Sequence, residues 1–297
     1  MSGDSDSCSS IEPTSPQIFG RNVPVRYQDP KNFYKFGKMR SRGSSGRVYP
    51  VFCKLSHKIF AIKMTCETDD ILMENMVWSA IPEHTNIVGL IEVFIWQNKV
   101  YSVMELGSAC LTNIIPIREN HTLMLPPAMV LSIVRQIILA VCHLHTHKFA
   151  HGDLKCDNVM IMHDGTIKLV DFGVTTRDGD IHHMSPFCGT FSWKSPNSMS
   201  RDTADQFADD IWALGITIGE IVGVDPPFLD QVRDTRQIIQ SIRNLQAPPA
   251  LPDLKCYGEE FEHKIHSILS GCLKMTPTKR LTAQQLLEVF DEKNSSQ

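Results

Sequence analysis

His151-Gly152-Asp153-Leu154-Lys155-Cys156-Asp157-Asn158 decides the reading of this chain. Eight residues put a carboxylate, an ammonium and a carboxamide on one loop. That set suits a site that must take a proton from a hydroxyl, neutralise phosphate charge and hold a metal ion through oxygen. Thirteen residues after Asn158 stands Asp171-Phe172-Gly173, a second carboxylate flanked by an aromatic and a glycine. Two such motifs, in this order and at this spacing, carry far more weight than either alone.

The pair resembles the catalytic loop and the metal-binding motif of eukaryotic-type protein kinases, with Gly152 where that family carries arginine. The resemblance implies an α+β, two-lobed fold: a small, mainly antiparallel β lobe over residues 31–105 and a larger, mainly helical lobe over 106–292. Residues 1–30 are rich in Ser, Asp and Pro, so ordering them would cost entropy with little apolar burial in return. They read as a disordered tail holding a Ser-Pro at Ser15, and residues 293–297 as a second short tail.

Composition narrows the setting. The chain has 297 residues, 42% of them hydrophobic, enough for a large core. A net charge of -4 gives no long-range attraction to nucleic acid or to anionic lipid, so neither is expected as a partner. Nine cysteines without a paired spacing or a signal peptide point to reduced thiols in an intracellular compartment, cytoplasm or nucleus. The apolar run Met129 to Val141 is broken by Ser132, Arg135 and Gln136 and reads as too short and too polar to span a bilayer. The divergent motifs are compatible with a virus-encoded kinase acting in a host cell or with a fast-diverging cellular one.

Other stretches fit the same family. Ser41 to Val48 is similar to its glycine-rich phosphate loop, with Ser41 for the first glycine and with Gly43, Gly46 and Val48 in place. Glycines there let backbone N–H groups approach phosphates without a Cβ in the way. Phe60-Ala61-Ile62-Lys63 reads as a strand ending in the lysine that pairs the α- and β-phosphates. Glu74, on a helix expected from Asp69 to Ala80, is the candidate partner of Lys63, and Glu67 is the alternative. With Glu74, Trp78 lies one turn on and would stack with Leu90, His151 and Phe172. Met104 looks like the gatekeeper, with the backbone of Glu105 and Leu106 facing adenine and Met160 below it. Cys110 sits near the cleft lip, where burial and a reactive thiol are both open readings.

Pro126 and Pro127 open a long helix to about His145, apolar on the Val130, Ile133, Val134, Ile137, Ile138, Val141 stripe. His143, His145 and His147 raise metal binding, but a period of two scatters neighbours over different helix faces. Residues 159–162 and 167–170 read as a hairpin placing Asn158 and Asp171 on neighbouring strand ends. Val174 to Lys194 would be the activation segment, Asp210 to Gly215 the buried central helix, and Thr282 with Gln285 a capping box.

The resemblance implies serine/threonine protein kinase activity, with Asp153 and Lys155 catalytic, Asn158 and Asp171 on magnesium, and ATP held by the residues above. Lys155 and Gly189-Thr190 favour Ser/Thr acceptors, and Asp157 with Glu220 hints at protein substrates carrying basic residues near the acceptor. Oligomeric state is left open. A pseudokinase kept for binding is the alternative, and a small-molecule kinase a third reading. Gly152 leaves no cationic pocket to clamp a phosphorylated segment, implying activity without such phosphorylation. Asn197 stands where the family has a glutamate, so buried Arg280 needs another acid or water.

Overall fold

A computed structural model describes residues 23–43, 46–66, 74, 77–115, 125–179, 189–199, 205–229 and 234–292. Glu67, Ser15 and residues 180–188 of the activation segment lie outside these residues.

Part of the stretch expected to be a tail carries structure. Residues 23–30 are described, and β1 (Val25–Arg26) pairs in parallel with Val93 and Phe94. Two apolar side chains secure it, since Val23 and Val25 pack with Val93 and Val100. Arg26 adds an ion pair to Glu92 at 2.7 Å, and Tyr34 also donates to that carboxylate. The compositional reading missed this because a two-residue strand has no detectable period.

The remaining small-lobe strands are β2 (Tyr34–Phe36), β3 (Ser41–Gly43), β4 (Gly46–Cys53), β5 (Ile59–Cys66), β6 (Leu90–Trp96) and β7 (Lys99–Met104). They form one seven-stranded sheet in the order β1-β6-β7-β5-β4-β2, with β3 on β4 and every pairing but the first antiparallel. Alternation along these strands buries Tyr34, Val51, Ile62, Phe94 and Val103 in a core of their own. The opposite face of β5 delivers Ala61 and Lys63 to the cleft.

The large lobe begins with β8 (Ala109–Cys110) and is built on α1 (Pro127–Thr146). This helix is long and apolar enough to cross a membrane by composition, more so than the broken run at Met129–Val141 suggested. Its apolar stripe is instead buried in the main core with Leu154, Leu169, Ile211 and Trp212. Short strands β9 (Phe149–Ala150), β10 (Val159–Ile161), β11 (Ile167–Leu169) and β12 (Thr176–Arg177) follow. The expected hairpin is β10 with β11, and Val170 N–H donates to Asn158 O at 3.0 Å. Helices α2 (Gln206–Ile221), α3 (Thr235–Arg243), α4 (Glu259–Cys272) and α5 (Ala283–Asp291) complete the lobe. From Asp210 to Ile221 every side of α2 is buried, and Thr282 with Gln285 closes the capping box on α5. This is the two-lobed α+β architecture the resemblance implied.

The lobes meet behind the cleft. The loop 84–88 lies along β11: Val88 N–H donates to Leu169 O, Leu169 N–H to Asn86 O, and Asn86 Nδ2 to Gln136 Oε1 and Ile167 O. The rings of His84, His143 and His147 stack in a column at centroid spacings of 4.5 and 4.4 Å. Residues 143 and 147 are four apart and share a face of α1, which the period-two argument overlooked. Each ring serves the protein: His84 Nδ1 accepts from Asn86 N–H, His143 Nε2 meets Pro82 O, and His147 Nδ1 meets His143 O. Burial and the neighbouring His143 hold the His84 pKa below its ordinary value.

Candidate active site

Lys63 reaches across the cleft floor to two carboxylates. Its Nζ lies 2.8 and 2.9 Å from the oxygens of Glu74 and 2.8 Å from Asp171 Oδ1. Lys63 and Glu74 are 5% and 4% exposed, so each charge depends on the other for its stability. Burial pushes the Glu74 carboxyl upward while Lys63 opposes it, and burial of Lys63 is outweighed by Glu74 and Asp171, leaving its pKa raised. We hold the pair to be ionised, since the contacts are bidentate and short. Asp171 has φ +65°, a left-handed conformation that costs energy and is held here by its surroundings. Residues 77–80 are helical, as is Glu74, while 69–73 lie outside the description. Trp78 meets Phe172 edge-on at 5.5 Å, and Phe172 meets His151 at 5.3 Å, giving a buried aromatic column beneath Asp171.

The catalytic loop is organised from below by Asp210. This fully buried carboxylate accepts from the N–H groups of His151 (2.7 Å) and Gly152 (2.9 Å), and His145 Nε2 lies 3.0 Å away. Burial would raise its pKa, but His145 and the backbone donors prevail and hold it low. Nothing in the sequence marked His145 for this role. Gly152 has φ +80°, and a Cβ there would stand 2.7 Å from Val174 O. The missing arginine is therefore a steric requirement of this backbone.

Asp153 has four donors. Thr190 N–H and Oγ1 both meet its Oδ1 at 2.8 Å, while Lys155 Nζ (2.7 Å) and Asn158 Nδ2 (3.0 Å) meet Oδ2. Burial works against ionisation, but Lys155 and the hydrogen bonds win, so its pKa is lowered. Because Asn158 spends its NH2 group on Asp153, its carboxamide oxygen is the atom left for a ligand. An amide oxygen with the Asp171 carboxylate is a hard donor set of the kind magnesium takes, and Val170–Asn158 pairing brings the two residues onto adjacent strand ends.

Ser41 pairs with Val48, and Gly43 with Gly46 at the tip of the β3–β4 hairpin; residues 44–45 are outside the description. Val48 faces Lys63 across β4 and β5, and Ala61 faces Met104 across β5 and β7. Val48, Ala61, Met104 and Leu106 all pack with the main core. Met160 pairs with Cys110 and rises so close to Gly107 that a Cβ there would stand 3.1 Å from Met160 Cβ. The Glu105 expectation needs one amendment. Its N–H is turned to Gly89 O, and its carboxylate accepts from Gly89 N–H and Lys168, leaving the carbonyl as the backbone group for a ligand. At the cleft mouth Arg40, unnoticed in the sequence, donates to the carbonyls of Gly107 (3.0 Å) and Ser108. Cys110 is half-buried with its Sγ on Asn113 Oδ1.

Two departures from the family pattern resolve differently. Arg280 is 7% exposed and finds its acid in Asp209 (3.4 Å), with Asn197 Oδ1, Ala208 O and Lys274 O completing its shell. Asp209 also accepts from Ser195 Oγ, yet burial pushes its carboxyl up to about 6. The other departure, Gly152, removes the arginine expected to clamp a phosphorylated segment; the Lys194 Nζ lies 3.2 Å from Gly152 O. Asp157 is exposed, whereas Glu220 is buried at 5%.

The sequence profile described as "Protein kinase domain" matches residues 34–289. Similar proteins include "Serine/threonine-protein kinase 10-A" of Xenopus laevis, 29% identical over 272 residues (88% of this chain, 27% of the relative). "Serine/threonine-protein kinase STE20" of Kluyveromyces lactis is 29% identical over 266 residues, 88% of this chain and 26% of that one. "Misshapen-like kinase 1" of Rattus norvegicus is 27% identical over 280 residues, covering 89% and 20%. The chain thus spans about a quarter of the length of the curated relatives it matches. With the lobes, the cleft lysine and the loop geometry in agreement with that profile, this chain belongs to the protein kinase domain family.

Proposed function

We propose that the protein transfers the γ-phosphoryl group of ATP to serine or threonine hydroxyls of protein substrates. The observation that carries this reading is the Asp153 carboxylate, ionised and held by Thr190, Lys155 and Asn158 beside the Lys63–Glu74–Asp171 ion triad. Names of relatives over 88% of the chain support the same acceptor class.

A carboxylate offers about four acceptor sites, and four donors fill them here. An incoming hydroxyl must therefore replace one. Lys155 is the donor able to leave, because it rides on a flexible chain and has Thr190 Oγ1 as a second partner, while Thr190 and Asn158 are fixed by backbone contacts. Its ammonium then turns to the charge on the transferring group, and Asp153 orients the hydroxyl and takes its proton. Lys63, fixed by Glu74, positions the α- and β-phosphates. Ser41, Gly43 and Gly46 cover the phosphates, while Val48, Ala61, Leu106 and Met160 with the Glu105 carbonyl enclose adenine. Asn158 and Asp171 would hold magnesium, which when bound would neutralise phosphate charge. A scaffold without transfer is not favoured, since each residue with a chemical task is retained.

Asp157 is the exposed acid able to meet a basic residue of a substrate; Glu220 lies beneath the surface. Six free cysteines among the described residues support a reducing, intracellular setting. The test is magnesium-dependent transfer of labelled γ-phosphate to a basic protein by the native chain and by Asp153→Asn. Signal from the native chain and none from the variant supports the reading; label incorporated equally by both counts against it.

A further inference from the structure

A second ammonium stands beside the catalytic loop, and the phosphoryl-transfer chemistry does not use it. Lys194 follows the helical turn Phe191–Trp193, whose preceding residue Thr190 is bonded to Asp153. Its Nζ donates to the carbonyl of Gly152, the residue immediately before Asp153, and lies 3.1 Å from where a Cβ of Gly189 would be. Lys155 is already paired with a carboxylate at 2.7 Å. Lys194 is half-buried, and among the described residues its hydrogen bond is to a neutral carbonyl at 3.2 Å. The acid whose field it shares, Asp209, is engaged by Ser195 and Arg280. Partial burial makes such an incompletely neutralised cation attract an anion more strongly than it would in open water.

Geometry then says which anion. When a hydroxyl of a peptide reaches Asp153, the next residue is one Cα step of about 3.8 Å away, and a carboxylate on it extends several ångströms further. The loop carrying Lys194 walls that space, because Thr190 and Gly152 bracket Asp153 in contact and in sequence. We propose that Lys194 is a specificity-determining residue that selects an anionic side chain, carboxylate or phosphate, adjoining the acceptor serine or threonine. This rests on the kinase reading above and deepens it: Asp157 favours a base at one side of the acceptor, Lys194 an acid at its immediate neighbour.

The experiment compares kcat/KM on peptides differing only at the residues flanking the acceptor, with alanine, glutamate, phosphoserine or lysine there. The native chain is expected to prefer glutamate or phosphoserine over alanine by about tenfold, as for a hydrogen bond to a charged group. Lys194→Met should bring that ratio near one, Lys194→Arg should keep it, and Lys194→Glu should shift preference to lysine. The glutamate and phosphoserine arms separate the two anion sources. Efficient transfer with a flat preference in the native chain, or a preference unchanged in Lys194→Met and Lys194→Glu, overturns the inference and leaves the kinase intact. No transfer to any peptide by the native chain overturns the kinase reading and this inference with it.

Discussion

Thr190 donates twice to one oxygen of Asp153, through its backbone N–H and through its hydroxyl, each at 2.8 Å. The Gly189–Thr190 stretch is thereby fastened to the carboxylate proposed as the proton acceptor. Thr190→Val keeps shape and removes the hydroxyl's bond to Asp153 together with the one it accepts from Lys155. We expect kcat to fall by about ten- to hundredfold, because a small misplacement at the reacting centre has that effect. Stability should drop by only about 1 kcal/mol. Steady-state kinetics with thermal unfolding checks both; an unchanged kcat would sink the orienting role.

Gly152 cannot be returned to arginine at this backbone. Its φ of +80° and the 2.7 Å approach to Val174 O make any side chain costly. Gly152→Ala should destabilise by roughly 1–3 kcal/mol. Gly152→Arg should do at least as much harm and should not create dependence on segment phosphorylation. Denaturant unfolding of both variants, beside activity before and after phosphatase treatment, measures this.

Segment phosphorylation should be dispensable, and the structure narrows how to ask. Thr175 is buried with its hydroxyl on His151 O, and Thr176 bonds Gln206, so both hydroxyls have structural work. Thr175→Val should cost about 1–3 kcal/mol for the carbonyl left unmet. Ser185, outside the described residues, is the cleaner probe: Ser185→Ala should keep kcat within about twofold of native, a difference of only about 0.4 kcal/mol in barrier. A collapse of kcat would show that the protein does rely on a phosphorylated segment.

Asp209 sets a pH dependence of stability. Its folded carboxyl lies near 6, above the ordinary 3.8, so between those values the folded state binds more protons than the unfolded one. This group's contribution to stability then falls as pH rises from about 4 to about 6, by at most about 3 kcal/mol. In Asp209→Asn that contribution to the slope should vanish, although the variant is less stable throughout for want of the Arg280 partner. Chemical denaturation across this range, native against variant, reads the slope; parallel curves would refute the assignment.

Where side chains were legible in the sequence, motif and period carried them. Lys63 is read from its motif and Glu74 from its spacing to His84, with Glu67 as the alternative, and the β10–β11 hairpin is read from the turn residues between two apolar runs. What escaped were partners made only by tertiary approach. His145 reaches Asp210 from another helix, and Asp209 takes on Arg280 in place of the glutamate absent at 197. Lys194 meets Gly152 across 42 residues. Each is an ordinary polar residue in its own stretch, and only the fold gives it a target. Val25–Arg26 escaped for the opposite reason, since its strand is too short to show alternation.

The imidazole contacts and the Asn86 bonds tie the 84–88 loop to α1 and β11. A joint fastened there behaves as the spine of a book. The contacts nearest that joint are the edge-on pair Trp78–Phe172 and the Asn86 bonds to β11, while the β3–β4 hairpin lies at the other end of the sheet order from β1.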